Sequence, residues 1–174
     1  MKKLNSLAAV LLMALLSACN SDTKEYVHVG PNWAALNNIQ PSEQTFNVKI
    51  KAESAAFLGD KLTLKVKSEQ AGRLWIVQVA PNDEVSLIYP NAMSTQNQIA
   101  AENWKSIPAE GSDWSIEAMK PVGVSVLVFI VTKPGTDLNT VFNGQAESMN
   151  KALHLVKNAG AWGLAKQIID IKEK

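Results

Sequence analysis

The sequence predicts a mainly β protein: an antiparallel β-sandwich-like domain of about seven strands with one C-terminal helix, preceded by a signal peptide and a flexible tether. Three observations carry that reading. Apolar residues alternate with polar ones along residues 46–52 and again along 61–67, as half-buried strands require. Residues 122–132 form the most strongly β-branched run in the chain. After Lys133-Pro134-Gly135 the apolar spacing lengthens to a helical period. The expected organisation is a signal peptide over residues 1–18, a tether over 19–43 and the domain over 44–174.

The elements follow in order. Residues 20–25 are polar, and Gly30-Pro31-Asn32 and Gln40-Pro41-Ser42 are breaker clusters, so 19–43 read as a tether that reaches about 70–80 Å when extended. Trp33-Ala34-Ala35-Leu36 and Ile39 form an apolar island within it, read either as padding against the domain or as a docking peptide. Phe46, Val48, Ile50 and Ala52, then Leu62, Leu64 and Val66, mark two strands with one wet face lined by Lys49, Lys51, Lys61, Lys65 and Lys67. That lysine row reads as a solvated face guarded against edge pairing. Residues 73–80 are apolar on both faces and so belong at the centre of a sheet; Pro81-Asn82-Asp83 turns them into Val85, Leu87 and Tyr89 as a hairpin.

Residues 92–111 are polar and weakly periodic, a long loop or short edge strands pinned by Ile99, Trp104 and Ile107. Trp114, Ile116 and Ala118 restart the alternation, and 122–132 should be the best-buried strand. At about half the length of a membrane span, and interrupted by Gly123 and Ser125, that run is no transmembrane helix. Ala146, Met149, Leu153 and Val156 define the apolar side of a helix; Glu147, Lys151, His154 and Asn158 line its polar side, and Gly160 stops it. Gln167, Ile169 and Ile171 form a last strand, whose tail Lys172-Glu173-Lys174 would blunt a sheet edge.

The N-terminus carries the clearest motif. Lys2 and Lys3 precede an apolar stretch ending in Leu16-Ser17-Ala18-Cys19, which resembles the bacterial lipobox. The resemblance implies a diacylglycerol on the Cys19 thiol, cleavage before Cys19, and a further acyl chain such as palmitate on the new amino group. Several chains anchor firmly, because each buried methylene contributes about 0.8 kcal/mol. Asn20, where an inner-membrane lipoprotein would carry Asp, points to the outer membrane by the enterobacterial sorting rule. The expected place is therefore the outer membrane, lipid-anchored and facing the periplasm. Cys19 is the sole cysteine, so the fold has no internal disulfide to rely on.

Charge and residue types narrow the function. Removing residues 1–18 leaves 156 residues with 15 basic and 16 acidic side chains, a balance that argues against nucleic acid as a partner. The two histidines, His28 in the tether and His154 on the polar helix face, do not assemble a catalytic triad, so no catalytic residue and no enzyme is expected. Asp60, Asp83, Glu84, Asp113 and Asp137 are scattered singly at turns and read as turn formers rather than metal ligands. Neither a metal nor any other cofactor is expected. Of five tryptophans, Trp75, Trp114 and Trp162 fall in strand patterns and read as core; Trp33 and Trp104 lie in irregular segments and are the candidate partner-binding residues.

Residues 62–142 resemble the domain of unknown function 4384, found in bacterial envelope lipoproteins and appended to some kinases and caspase-like peptidases. Gly72-Arg73-Leu74-Trp75-Ile76, Leu87-Ile88-Tyr89-Pro90-Asn91, Ile107-Pro108, the closing strand 128–134 and Trp162-Gly163 carry the resemblance. It implies a β-rich accessory or recognition domain without catalytic residues, in the company of envelope or secretion machinery. The expected function is a non-enzymatic protein-binding accessory with an envelope protein as partner. The rival is a periplasmic sensor or carrier for a small ligand or cell-wall fragment.

Overall fold

The computed structural model describes residues 30–142 and 147–174. The signal peptide, Leu16, Ser17, Ala18, Cys19, His28 and Ala146 lie outside the described residues. The first described elements are a short helix α1 (Pro31–Asn37) and a 3-10 turn (Pro41–Glu43). Nine strands come next: β1 (Val48–Lys51), β2 (Ala55–Phe57), β3 (Lys61–Leu62), β4 (Leu64–Ser68), β5 (Gly72–Val79), β6 (Val85–Tyr89), β7 (Gln98–Ile99), β8 (Lys105–Ile107) and β9 (Ile116–Glu117). The long strand β10 (Gly123–Thr132), helix α2 (Ser148–Asn158) and β11 (Trp162–Lys172) complete the fold.

A central sheet runs β2-β11-β10-β5-β6, with β7 beside β5; all its pairings are antiparallel except β11 with β2. A smaller antiparallel sheet, β1-β4-β8, and the β3-β9 pair cover one face of it, and the two helices cover the other. The period-two pattern explains why the central strands are apolar on both sides. On β5 and β10, Trp75, Val77, Val79, Val126, Val128 and Ile130 face the helices. Their neighbours Leu74, Ile76, Leu127, Phe129 and Val131 face the small sheet. Each such side chain, fully buried, contributes about 1.5–3 kcal/mol. The core therefore has two layers divided by one sheet, and β10 is the best-buried strand, as its sequence predicts.

The mainly β, sandwich-like class with a late helix holds. Eleven strands stand where about seven were expected, because several are only two or three residues long and carry no periodic signal, and three further particulars differ. Residues 30–43, read as the distal part of the tether, are packed: Trp33 and Leu36 of α1 lie in the core against β5, β10 and α2. The last strand is an edge over only part of its length: β11 is eleven residues long, pairs with β10 along Trp162–Ile171, and is covered at residues 170–172 by the short parallel strand β2, which sequence periodicity did not reveal. Trp104 does not pin the loop over 92–111; Ile99 and Ile107 are buried, whereas Trp104 is 43 % exposed.

The seat of α1 has a specific chemistry. Asp83, in the β5–β6 turn, accepts from the backbone N–H groups of Asn32 (3.1 Å) and Trp33 (2.9 Å), donors of the first turn for which an α-helix supplies no acceptor of its own. The Asn32 amide donates to the Asp83 carboxylate and carbonyl, and its oxygen accepts from Met149 N–H at the start of α2. Gly30 permits this approach, since a Cβ there would stand 2.0 Å from Asp83 Cγ. The clusters Gly30-Pro31-Asn32 and Pro81-Asn82-Asp83, two separate breakers in sequence, thus form one joint.

Candidate groove beside strand β6

The β5–β6 hairpin is closed by a three-residue turn. Ala80 N–H donates to Glu84 C=O (2.8 Å) and Asp83 N–H to Ala80 C=O (3.0 Å), with Asp83 left-handed at φ 67°. This is a type I turn followed by a bulge residue, the usual three-residue hairpin. It also sets the polarity of the edge. Hydrogen-bonded and non-hydrogen-bonded pairs alternate along an antiparallel ladder. With Ala80–Glu84 bonded and the register Gln78↔Ser86, Val79↔Val85, Val77↔Leu87, the Ser86 amide group faces β5. The N–H and C=O of Val85 and Leu87 then point away from the sheet, and among the described residues β6 has no strand on that side.

Beside this edge lies a groove of about 410 Å³. Its floor is Gln78, Ala80, Ser86 and Ile88, on the face that carries the small-sheet core. Gln78 is fixed by its amide donating to Ser125 Oγ at 3.1 Å. The opposite wall is the segment 114–121, held in place by the β3–β9 pair and by two backbone bonds of 2.9 Å, Gly59 N–H to Ala118 C=O and Ala118 N–H to Asp60 C=O. Met93 (67 % exposed) and Met119 (71 % exposed) rim it.

Tyr89-Pro90-Asn91 positions one side of the rim. The Tyr89 hydroxyl donates to Gln96 C=O, and Asn91 Oδ1 accepts from the N–H groups of Met93 (3.0 Å) and Ser94 (2.9 Å). The Asn91 amide donates to Ile88 C=O at 3.0 Å. A single asparagine therefore ties the end of β6 to the turn that carries Met93. Trp114 forms part of the wall and is shared with a second, more polar cleft of about 420 Å³ lined by Lys61, Lys65 and Glu110. The ionisable groups at the first groove are Glu84, Glu117 and Lys120, all exposed. Glu117 accepts from Ser115 Oγ at 3.0 Å, and none of the three forms an ion pair among the described residues.

The residues singled out from sequence lie elsewhere. Trp33 is 7 % exposed and its indole N–H donates to Ala80 C=O at 3.0 Å, because α1 folds back onto the sheet. Trp104 is exposed, with Lys51 Nζ 4.8 Å from its ring centre, but it does not line the groove. Trp114, read as core, is the tryptophan that does. His154 is exposed beside Asn158, on the outer face of α2. Among the described residues no group of three His, Cys, Asp or Glu stands close enough to hold a metal ion. Away from the groove, Lys157 beside Glu43 holds that carboxyl below its usual range, and hydrogen bonds from Asn47 do the same for Glu69.

Sequence reasoning missed Met93 and Met119 because single methionines in polar segments carry no periodic signal. The available clue was β6 itself, Val-Ser-Leu-Ile-Tyr, a strand with no charge in it.

Fold and groove together define a helix-backed β-sandwich with an open apolar groove at one strand edge. Residues 56–134 match the family described as "Domain of unknown function (DUF4384)". The match runs from β2 through β10 and contains every residue lining the groove, while α1, α2 and β11 fall outside it. No curated protein matches the chain. Among solved structures, the sulfur carrier protein SoxY from Chlorobium limicola f thiosulfatophilum is similar at 15 % identity, over 72 % of this chain and 78 % of its own, with a TM-score of 0.33. The superoxide reductase (neelaredoxin) from Ignicoccus hospitalis is similar at 12 % identity, over 72 % and 80 %, with a TM-score of 0.31.

Proposed function

We propose that this chain is an outer-membrane lipoprotein, anchored through acyl chains on Cys19 and facing the periplasm, that serves without catalysis as a protein-binding accessory of an envelope or secretion assembly. The groove between β6 and residues 114–121 is its contact surface in this reading. The observation that carries the reading is the pair of exposed methionines rimming an apolar groove at an uncovered strand edge. Exposed apolar clusters mark interaction sites, and methionine's flexible, polarizable side chain suits a surface that closes over a partner. The lipobox Leu16-Ser17-Ala18-Cys19 supports the anchor. Among the described residues no helix is long and apolar enough to cross a membrane.

In-cell crosslinking and co-purification of the tagged chain test this, with Cys19→Ser to remove the anchor and a Met93→Lys, Met119→Lys double variant to block the groove. One envelope protein recovered by the wild type and lost from both variants is the expected result. Recovery that ignores the double variant would remove the groove from the proposal. A second reading, a sensor or carrier of a small ligand or cell-wall fragment, is favoured by one feature. The volume of about 410 Å³ is within the usual range for ligand pockets, with Gln78 and Ser86 as polar groups on an apolar floor. A rise in melting temperature with muropeptides, absent from the double variant, would select it.

A further inference from the structure

We infer that the groove takes its partner as an extended peptide strand, largely apolar and carrying a basic residue, which adds to the free edge of β6. The inference rests on the reading of the groove as a protein-binding surface and names what it binds. Three features carry it.

The first is the edge. The outward N–H and C=O groups of Val85 and Leu87 repeat at the spacing of a strand, and a peptide laid against them completes a ladder that the sheet leaves open. The second is how the other edges differ. The small sheet ends in β1 with Lys49 and Lys51 and in β8 with Lys105; on the far side of the central sheet the three-residue β2 covers only residues 170–172 of β11, whose uncovered stretch carries Lys166; and β7 has two residues. Lysines and short strands are the common means of discouraging edge pairing. β6 has five residues, no charge, no proline and no glycine.

The third feature is charge. Glu84 and Glu117 stand at the groove with Lys120, Lys61 is the cross-strand neighbour of Glu117, and neither carboxylate is in an ion pair among the described residues, so Glu84, next to the start of β6, is the carboxylate open to a basic partner. A lysine or arginine of the peptide pairs with Glu84. Alternate side chains of the added strand would enter the groove between Ser86, Ile88 and the Trp114 wall, under Met93 and Met119.

The test uses the full lipidated chain in detergent micelles and hydrogen–deuterium exchange resolved across residues 85–89. The probe is an acetylated eight-residue peptide alternating valine and threonine, with one lysine. A counterpart N-methylated at four successive central amides keeps the side chains and removes the donors of both edges. Strand addition slows exchange of the Val85 and Leu87 amides roughly tenfold or more with the first peptide and leaves it unchanged with the second. Ser86→Lys, which keeps the β5 ladder but puts a charge into the groove, weakens the peptide roughly tenfold at an unaltered melting temperature. Replacing the peptide's lysine by glutamate weakens it further at low salt.

Several results overturn the inference. Equal binding of the N-methylated peptide would mean that the groove holds side chains only, and no slowing at Val85 and Leu87 at millimolar peptide would exclude strand addition. Protection of these amides that grows with protein concentration alone would make the occupant a second copy. Peptide binding abolished by Met93→Lys, Met119→Lys but without protection of β6 would end strand addition and keep the groove. Binding indifferent to that double variant would end both.

Discussion

The joint between α1 and the β5–β6 turn can be broken one component at a time. The Asp83 carboxylate accepts three hydrogen bonds, from the N–H groups of Asn32 and Trp33 and from the Asn32 amide, at 3.1, 2.9 and 3.1 Å. Capping a helix N-terminus contributes about 0.5–2 kcal/mol, and one hydrogen bond to a charged group about 1.5–3 kcal/mol. The three share one carboxylate and do not add in full, so loss of the side chain should cost about 2–3 kcal/mol. Asp83 also sits at φ 67°, where a Cβ costs roughly 1 kcal/mol that glycine avoids. Asp83→Gly should therefore cost about 2–3 kcal/mol and Asp83→Ala about 1 kcal/mol more, while Asp83→Asn, which keeps one acceptor and tolerates this backbone, should cost about half as much as Gly. At roughly 2–4 °C per kcal/mol for a chain of this size, thermal unfolding followed by circular dichroism should fall by about 5–10 °C for Gly, further for Ala and least for Asn. A drop below about 2 °C for Asp83→Gly would refute the capping argument, and Ala equal to Gly would refute the backbone argument.

Three further outcomes are expected. Gly163→Ala should destabilise by about 1–3 kcal/mol in urea unfolding, because a Cβ would meet Phe46 O at 2.6 Å and its ring at 2.8 Å. Lys157→Ala should return the Glu43 carboxyl toward its usual pKa, read from its carbon-13 titration, since the 2.8 Å ion pair is the first cause of its lowered value. With a folded pKa below the unfolded one, this pair stabilises above the unfolded pKa of glutamate, and the contribution is lost as pH falls through the lowered folded value; in melts from pH 7 to pH 3 the wild type should lose more than Lys157→Ala does. Trp104→Ala should leave stability within about 0.5 kcal/mol and leave recovery of a groove partner unchanged; lost recovery would make Trp104 a contact residue.

The architecture was legible wherever burial is periodic. Residues 73–80, 85–89 and 122–132 become β5, β6 and β10 almost residue for residue, and the helical spacing of Met149, Leu153 and Val156 becomes α2. What escaped was structure made by partners distant in sequence. α1 is short and opens on Gly30-Pro31, and its stability comes from Asp83, fifty-one residues from Asn32, and from Met149, one hundred and seventeen residues away. Local propensity gives no sign of that joint, so Trp33 stayed open between padding against the domain and a docking peptide. β2 carries only Ala-Ala-Phe and exists because β11 pairs with it. The groove escaped for the same reason: its floor comes from the hairpin, its wall from residues 114–121, and its rim from two methionines, a conjunction set by tertiary packing.

That joint also bears on the proposed anchoring. A tether of 19–43 would let the domain stand about 70–80 Å from the lipid, but the residues from Gly30 on are packed against the domain, and Gly30 is eleven residues beyond Cys19. Eleven residues reach at most about 36 Å. Gly30 abuts Asp83, and Asp83 lies between Ala80 and Glu84, both of which line the groove. An anchor on Cys19 thus enters the domain at one end of the groove, and a partner seated there is kept within about 36 Å of the membrane surface plus the groove's own length. Releasing α1 would return residues 30–43 to the tether and roughly double that reach. Asp83→Gly should therefore widen the set of envelope proteins crosslinked to the domain, while Ser86→Lys, which leaves the joint intact, should narrow it. If Asp83→Gly lowers the melting temperature yet leaves the crosslinking pattern as it was, the joint stabilises the fold and does not set the standoff.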